Sequence, residues 1–472
     1  MTDKPIHQTL SSNPRLGLTR WQKKVLSYTN GFLLLFILQA VLALLIDQID
    51  WLSTFHAYTT LLVGLFFLII DKTPDRLMCW MGYVVGAELL WRGTGANVFW
   101  ETGKFAIIGF SLLGSLKPYG KHSPNFKLVP YFLLLIPAIF LMPSFNRETI
   151  TYSLAGPLAL MSASIFFSRI EIKTEQLKKL LLTTLASVIT FSVLALVGLI
   201  NAETIEFSQA SNFITSANTG PNQVSSVLAL GAFAAFIYVF IEREHKIFRF
   251  LVILLGIGLL AQVTLTFSRG GLWTLIGAIA AGGLFFMRDR KSRRSYFVIL
   301  FAVILVFNFL LLPMLDQWTS GSLGERIRDT EPTGRLEIIR SDMEVFQENP
   351  LFGIGLGQSD REHARYFRVS NSHTEYSRML AEHGVFGLVS LLILLIVLGR
   401  KVLKKDEPVN KAVIVAFLTW GLLFMAHSAT RLAAPSFLIG LAFAHFDLSI
   451  PIEVSKEERF ARLGRMRIQH RG

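Results

Sequence analysis

The chain has 472 residues, of which 52% are hydrophobic and only 17% charged, and this composition excludes an ordinary soluble globular protein. The formal net charge of +13 does not indicate nucleic-acid binding, because the basic residues lie between hydrophobic runs and in the C-terminal stretch, where membrane topology accounts for them. The single cysteine, Cys79, excludes an intramolecular disulfide and a cysteine metal cluster.

Hydrophobic runs follow one another along most of the chain. A membrane-spanning helix needs about 20 apolar residues, and the sequence therefore predicts an all-α polytopic membrane protein with about 14 (12–14) transmembrane helices. The polar stretch before the first run lacks a small-residue cleavage pattern, so we expect the first run to be an uncleaved spanning helix. The predicted spans are 29–46, 55–70, 77–91, 97–116, 128–145, 150–168, 177–200, 220–241, 247–267, 271–287, 296–312, 379–399, 410–426 and 432–449.

Lysine and arginine are concentrated in alternate connections between these runs. The short connections on the sparse side carry only Arg92, Arg147, Arg269 and Arg431. Because cytoplasmic loops retain positive charge, we expect both termini in the cytoplasm and the polar segment 313–380 in the periplasm. The predicted division is helices 1–11 in 1–312, a periplasmic catalytic loop in 313–380, helices 12–14 in 381–450 and a basic cytoplasmic tail in 451–472.

The polar segment 313–380 is predicted to be folded. Within 335–348, the residues Leu336, Ile339, Met343 and Phe346 recur at helical spacing, which predicts an amphipathic helix on an apolar surface. A glycine-rich stretch follows at 353–357. Since no strand precedes these glycines, we expect a turn and not a nucleotide-binding loop.

The same segment contains eight arginines and no lysine. The arginine fork binds phosphate oxygens two at a time, so this usage suits a diphosphate ligand at the membrane surface. The alternative is that these arginines pair with the carboxylates of the segment, which outnumber them.

Arg269 ends a predicted span on the side that positive charge avoids. Gln262 and Thr266 precede it on one helical face and form a polar stripe, which is typical of a functional site inside a membrane protein. The alternative is an arginine that reaches out to the membrane interface. Arg147 has a similar placement.

His373 stands beside a predicted helix start, where Ser372 and Glu375 fit a capping box. At that position the helix dipole disfavours a protonated imidazole and favours a bound anion, which suits a proton acceptor next to a phosphate. The alternative is a first-turn residue with no chemical role. The other loop histidines, His363 and His383, each lie ten residues from it, so a shared metal site is not predicted.

His383 precedes a glycine and is predicted to be structural at a helix C-terminus. Glu375, Arg378 and Glu382, at spacings of three and four residues, are predicted to form a structural ion-paired stripe.

Three stretches together resemble the O-antigen ligase and polymerase superfamily of bacterial cell-envelope assembly. They are TFSRGG at 266–271, TGRLEIIRSDMEVFQENPLFGIGLG at 333–357 and NSHTEYSRMLAEHGVFG at 371–387. The resemblance implies a multi-pass inner-membrane glycosyltransferase that takes a glycan from undecaprenyl diphosphate at the periplasmic face. The ligases pass the glycan to the lipid A core and need neither metal nor another cofactor.

The resemblance also implies roles for particular residues. The family's loop histidine corresponds to His373, the arginine after the span to Arg269, and the loop Gly-Arg pair to Gly334 and Arg335. His373 would orient or deprotonate the acceptor hydroxyl, while Arg269, helped by Arg147 and Arg335, would hold the diphosphate. Attack in line with the leaving group would invert the anomeric carbon.

Two alternatives to a ligase remain open at this stage. A polymerase of the same superfamily would use a growing lipid-linked glycan as acceptor. A transporter would also combine many helices with intramembrane polar residues, although its decisive polar groups are expected near the membrane midplane. Membrane lipids surround the protein in every case, and nucleic acid is not an expected partner.

Overall fold

The computed structural model describes residues 20–202, 205, 207–208, 210–329, 335–359, 362 and 374–448. Helices account for most of these residues. The first group is α1 (Arg20–Gln48), α2 (Asp50–Ile70), α3 (Asp75–Gly93), α4 (Thr102–Ser115), α5 (Val129–Leu133), α6 (Arg147–Phe167), α7 (Thr174–Ile200), α8 (Pro221–Ile241) and α9 (Lys246–Leu265). The second group is α10 (Arg269–Phe286), α11 (Arg290–Val306), α12 (Leu312–Trp318), α13 (Ser322–Arg328), α14 (Arg335–Glu348), α15 (Glu375–Leu403), α16 (Pro408–Ser428) and α17 (Ala433–Leu441).

Shorter elements complete the described structure. Two 3-10 helices occupy Ile136–Leu141 and Ile214–Ser216, and a π-helical turn at Phe307–Leu311 joins α11 to α12. Two three-residue strands, β1 (Glu171–Lys173) and β2 (His445–Asp447), pair in parallel with Ile172 opposite Phe446. The predicted all-α class is confirmed, with this small sheet as an addition that the sequence did not reveal.

Within the described residues, 10 helical runs are long and apolar enough to cross a membrane. Their outer members expose large apolar side chains, such as Leu62, Ile69 and Phe301, each more than half accessible. A soluble monomer rarely exposes so much contiguous apolar surface, whereas a bilayer covers it. The chain is therefore a multi-pass membrane protein.

The predicted count of about fourteen spans is too high for the described part of the chain. The predicted spans 77–91, 97–116, 128–145 and 432–449 do not form long apolar helices. Charged residues run through α3, α4 has 14 residues, and α17 has 9 residues before the chain turns into β2. Prolines divide 129–141 into α5 and a 3-10 helix, because proline cannot donate the backbone hydrogen bond that a continuing helix requires.

The packing core of the bundle is α8. Every residue of its most apolar stretch is buried, and α7, α9 and α10 pack against it. A helix that is hydrophobic on all sides is stable only when neighbours surround it completely. Helix α10 also packs closely against α16.

The predicted amphipathic helix in the polar segment is confirmed as α14, with the same bounds, but its buried face differs. Ile338, Ser341, Asp342 and Val345 are buried, whereas Leu336 is exposed. The buried face of α14 contains a polar pair, in which the Ser377 hydroxyl of α15 donates to the Asp342 carboxylate at 2.5 Å. Hydrophobic spacing alone does not reveal such a pair.

Candidate functional site

The N-terminal ends of α6 and α15 line one cavity of about 590 Å³. Asn146 starts α6, because its side-chain oxygen accepts the backbone N–H groups of Glu148 and Thr149 at 2.9 and 3.2 Å. This start places Arg147 at the cavity, with its guanidinium 5.7 Å from the centre of the Phe99 ring. Arg378 and Arg431 also line the cavity, so three arginines from distant parts of the chain converge here.

Arg378 is buried between two carboxylates of its own helix. Its guanidinium donates to Glu375 at 2.8 Å and to Glu382 at 2.9 Å. The ion-paired stripe that the spacing predicts is therefore confirmed, but it is buried at the cavity and is not a solvated helix face. Burial of charge is tolerated only when each charge is paired and hydrogen-bonded, which this triad achieves.

The same carboxylates connect the surrounding loops to α15. Glu382 accepts the backbone N–H of Gly357 and the hydroxyl of Ser359, each at 2.9 Å. Glu375 accepts the backbone N–H of Thr430, at 3.2 Å, from the loop after α16. These hydrogen bonds give the cavity wall a defined geometry.

A second buried charge network joins α3 to α4. Arg92 lies 2.5 Å from Glu88 and 3.3 Å from Glu101, and Lys104 lies 2.6 Å from Glu101. Arg92 also donates to the backbone oxygen of Arg431 at 2.8 Å, so this network supports the cavity from behind. The sequence reasoning missed it. The available signal was the spacing of opposite charges, four residues for Glu88 and Arg92 and three for Glu101 and Lys104.

The glycine-rich stretch forms a turn against α15, as expected. The backbone N–H groups of Ile354 and Gly355 donate to the carbonyl oxygens of Ala381 and Glu382 at 3.0 and 3.1 Å. Gly353 has φ +70°, and a Cβ there would lie 2.4 Å from the Glu382 backbone, so only glycine fits. The turn serves to fix the end of a helix and leaves no phosphate cradle.

Arg269 starts α10 and belongs to a separate group of three arginines. It donates to the Asp329 backbone oxygen, and its guanidinium is 3.7 Å from the Asp329 carboxylate. Arg326 pairs with the same carboxylate at 3.1 Å. Burial and the neighbouring charges of Arg269 and Arg326 lower the pKa of Arg335, which shows that the three cations lie close together.

The structure thus brings together two of the predicted diphosphate ligands, Arg269 and Arg335, and adds Arg326, which the sequence did not single out. Arg147 shares no hydrogen bond or ion pair with this group and lines a cavity to which the group does not contribute. The predicted catalytic residue His373 and the loop glycine Gly334 lie outside the described residues.

The polar stripe before Arg269 has a packing role. Gln262 accepts the Ser192 hydroxyl at 2.6 Å and donates back to the Ser192 carbonyl at 3.2 Å, so it joins α9 to α7. The Thr266 hydroxyl donates to Val263 in its own helix. Both side chains are thus engaged in helix packing, and the interpretation of the stripe as part of a ligand site stays a prediction.

The TFSRGG stretch is shaped by close helix packing. A Cβ at Gly270 would lie 2.5 Å from the His427 ring of α16, and one at Gly271 would lie 2.3 Å from the Ser225 carbonyl of α8. In the same stretch, buried Phe267 has φ +57°, and its carbonyl oxygen accepts a hydrogen bond from the Arg326 guanidinium at 3.2 Å. A bulky residue in this backbone region is strained, and such strain is retained where surrounding contacts require one geometry.

The predicted capping box at 372–375 is not formed around Glu375. Helix α15 begins at Glu375 with Thr374 as its N-cap, and the Glu375 carboxylate is engaged by Arg378 and Thr430. Ser372 lies outside the described residues. His383 is buried directly before Gly384, where the helical backbone is interrupted, in agreement with the predicted structural role at a helix C-terminus.

Comparison with known families identifies part of the chain. Residues 250–392 match the model of a family described as O-antigen ligase. The match extends from within α9, through TFSRGG, α14 and the glycine turn, past the middle of α15. The expected resemblance to the O-antigen ligase superfamily is thereby confirmed. No curated protein matches the chain.

Proposed function

From this O-antigen ligase domain in a multi-pass membrane protein, we propose that the protein is a glycosyltransferase that works at the periplasmic face of the inner membrane. Its donor is a glycan linked to undecaprenyl diphosphate, and its acceptor is a sugar of the lipid A core. The observation that carries the proposal is that the matched region contributes arginines to two clusters, and clustered arginines suit a diphosphate. The orientation rests on the Lys and Arg asymmetry of the connections.

The group of Arg269, Arg326 and Arg335 is the proposed site for the diphosphate. A diphosphate carries more negative charge than one carboxylate, and guanidinium groups bind its oxygens in pairs. Burial, followed by the charge of Arg269, lowers the pKa of both Arg326 and Arg335, and this supports the proposal because a bound anion would offset the repulsion between the cations. The role of Asp329 is to hold Arg269 and Arg326 in place before the donor binds.

Arg147 is proposed to contact the donor from the other side, in the cavity of about 590 Å³. That volume is within the range of small-ligand sites, about 300–1,000 Å³. Apart from its approach to Phe99, Arg147 makes no hydrogen bond or ion pair with another described residue, and it is exposed at the cavity. It is thus available for an anionic ligand, in contrast to Arg378, which Glu375 and Glu382 neutralise.

His373 is proposed as the group that acts on the acceptor hydroxyl. It precedes Glu375, which lines the cavity, by two residues. In the proposed step the acceptor oxygen bonds to the anomeric carbon while the bond from that carbon to the diphosphate oxygen breaks. The hydroxyl proton passes to His373, and undecaprenyl diphosphate leaves with the negative charge that the arginines hold. In-line displacement inverts the anomeric configuration without a metal ion.

Purified protein in lipid nanodiscs, a synthetic undecaprenyl-diphosphate glycan and isolated lipid A core test the proposal directly. We expect glycan on the core, inverted stereochemistry by NMR, and transfer that persists with EDTA. Transfer only to a second lipid-linked glycan would identify a polymerase instead. If neither the core nor a second lipid-linked glycan receives the glycan, and the intact donor instead crosses the membrane of proteoliposomes, the protein would be identified as a transporter.

A deletion strain gives an independent readout in the cell. Loss of all O-antigen with a complete core is the expected lipopolysaccharide profile for a ligase. A single repeat on the core would instead assign the polymerase reaction. An unchanged profile would contradict both.

A further inference from the structure

A second cavity, of about 330 Å³, lies at the opposite ends of the helices that frame the first one. Ser168, directly after α6, and Arg400 and Lys401, near the end of α15, line it. Helix α6 has 21 residues and is therefore about 30 Å long, close to the thickness of a bilayer core. The two cavities consequently face opposite membrane surfaces.

The second cavity has a strongly basic wall. Lys127, Arg400, Lys401, Lys404 and His445 line it, and none of the four Lys and Arg side chains forms an ion pair with a described residue. Lys401 is held in place, because its ammonium donates to the carbonyl oxygens of Phe443 and Ala444 at 3.3 and 3.1 Å.

One carboxylate lies nearby but is engaged elsewhere. Asp406 lines an adjoining cavity of about 240 Å³, which shares Lys401, Lys404 and His445 with the cavity of about 330 Å³. Its Oδ1 accepts from the backbone N–H of Glu407 and the side-chain amide of Asn410, each at 2.8 Å. These neutral donors leave the negative charge of Asp406 in place, but one carboxylate compensates only part of the charge of Arg400, Lys401 and Lys404.

His445 reports the resulting positive field. Its ring stacks on His122 with 3.7 Å between the ring centres. Burial, followed by the charges of His122, Lys401 and Lys404, lowers the pKa of His445. The clustering of these cations around one cavity suits an anion.

An apolar side completes the cavity. Val397 and Phe443 line the same space. On the adjacent surface of α15, Ile396 and Leu403 are 52% and 80% exposed, as expected for side chains that face lipid. A phosphate-bearing amphiphile matches both the basic wall and the apolar one, whereas free phosphate matches only the first.

We propose that this cavity binds the phosphate group of an anionic phospholipid from the leaflet opposite the candidate active site. The three exposed cations Lys127, Arg400 and Lys404 contact the phosphate, and an acyl chain lies along α15 beside Ile396. Basic pockets between membrane helices are suited to such headgroups. The inference does not depend on the proposed glycosyl transfer.

Native mass spectrometry of the full chain in detergent, with phosphatidylglycerol or phosphatidylcholine added, tests this site. The test variant is Lys127→Gln with Arg400→Gln and Lys404→Gln. The matched control is Lys72→Gln with Arg293→Gln and Arg294→Gln, which removes the same charge from exposed residues of the same predicted face that do not line the cavity. We expect one tightly bound phosphatidylglycerol, and a loss of affinity of about fivefold per removed charge in the test variant.

The outcomes separate the possibilities. Equal loss in the control variant, or equal binding of phosphatidylcholine, would overturn the site. Displacement of the lipid by a tenfold excess of inorganic phosphate would assign the cavity to free phosphate and reject the lipid. If the triple variant does not elute as folded protein, Lys127→Gln alone replaces it, because its side chain lies in an exposed loop and makes no hydrogen bond with a described residue.

Discussion

Single arginines in this protein have very different environments, and these environments decide what each can do. Arg378 is buried and neutralised by Glu375 and Glu382, so its ion pairs stabilise the cavity wall. Arg269 and Arg326 share Asp329, close to Arg335. The first arrangement is balanced and structural, whereas the second is the group proposed to bind the diphosphate.

The role of Arg269 in donor binding can be separated from its contact with Asp329. We expect Arg269→Lys to lose about a hundredfold in kcat/KM for a lipid-linked donor, the scale for one group that stabilises a developing anion, because a point charge replaces a paired fork. Asp329→Asn is the matched control, since it removes the carboxylate and leaves all three arginines. Transfer rates of both purified variants, at donor concentrations below KM, are the measurement. Equal losses in the two variants would show that Arg269 serves only to pair with Asp329.

His373 is the residue on which the proposed chemistry depends most. His373→Ala should lower the transfer rate by roughly two to four orders of magnitude, the range for a positioned acid–base group, with donor binding retained. Ser372→Ala is the neighbouring control, and we expect it to leave the transfer rate close to that of the unsubstituted protein. Single-turnover transfer and a separate donor-binding assay provide the two readouts. Near-normal turnover of His373→Ala would remove this residue from the mechanism.

At the scale of elements, α15 is two helical segments joined at Gly384. This residue has φ +58° and ψ −136°, far from helical values, and a Cβ there would lie 2.6 Å from the Gly353 backbone nitrogen. Val385 then donates to the Pro350 carbonyl at 2.7 Å. The kink and the glycine turn therefore form one unit. It connects the cavity-lining half of α15 to the half that spans the membrane.

Substitution of Gly384 tests the importance of this unit. We expect Gly384→Ala to destabilise the protein by about 1–3 kcal/mol from backbone strain, and to reduce transfer because Glu382 is displaced. Gly399→Ala is the matched control in the same helix, since nothing lies within 4 Å of the added Cβ. That change should be neutral or stabilising by up to about 1 kcal/mol. Thermal unfolding followed by fluorescence size-exclusion measures both; equal stability would mean that the kink is dispensable.

At the scale of the whole molecule, the chain presents chemically different ends. The arginine-lined cavity and the group around Asp329 belong to the end where α6, α10 and α15 begin, while the lysine-rich cavity belongs to the end where α6 and α15 finish. Lysine is confined to the second end in the connections of the predicted topology. Such an asymmetry is typical of a multi-pass membrane protein whose lysine-rich side lies in the cytoplasm.

Substituted-cysteine labelling tests this orientation. In a Cys79→Ser background, Gln347→Cys on the exposed side of α14 should react with a membrane-impermeant maleimide in intact cells with a permeabilised outer membrane. Arg293→Cys and Lys404→Cys should react only after the inner membrane is opened. All three side chains are exposed, so accessibility within the fold does not limit labelling. Labelling of position 293 from outside would reverse the orientation and move the proposed site to the cytoplasm.

The sequence by itself determined the fold class, the bounds of α14, the turn at the glycines and the resemblance to the O-antigen ligase superfamily. These features follow from composition, local spacing and contiguous motifs, which are properties of neighbouring residues. The charges of α3 and α4 are also present in the sequence, within or next to the predicted spans 77–91 and 97–116. Only the tertiary structure decided that Glu88, Arg92 and Lys104 are paired inside the bundle. The free-energy cost of burying a charge depends on whether an oppositely charged partner lies nearby, and that partner can belong to another helix.

The same reason explains the separation of the predicted diphosphate ligands. Arg147, Arg269 and Arg335 were equivalent in sequence terms, as arginines on the sparse side of the membrane. The fold places Arg147 and Arg378 at the cavity, whereas Arg335 lies within electrostatic range of Arg269 and Arg326, which share Asp329. Helix packing also rotated α14 so that Asp342 meets Ser377, and it turned Gln262 towards Ser192. These pairings join residues 35 and 70 positions apart, and contacts over such distances exist only once the helices pack.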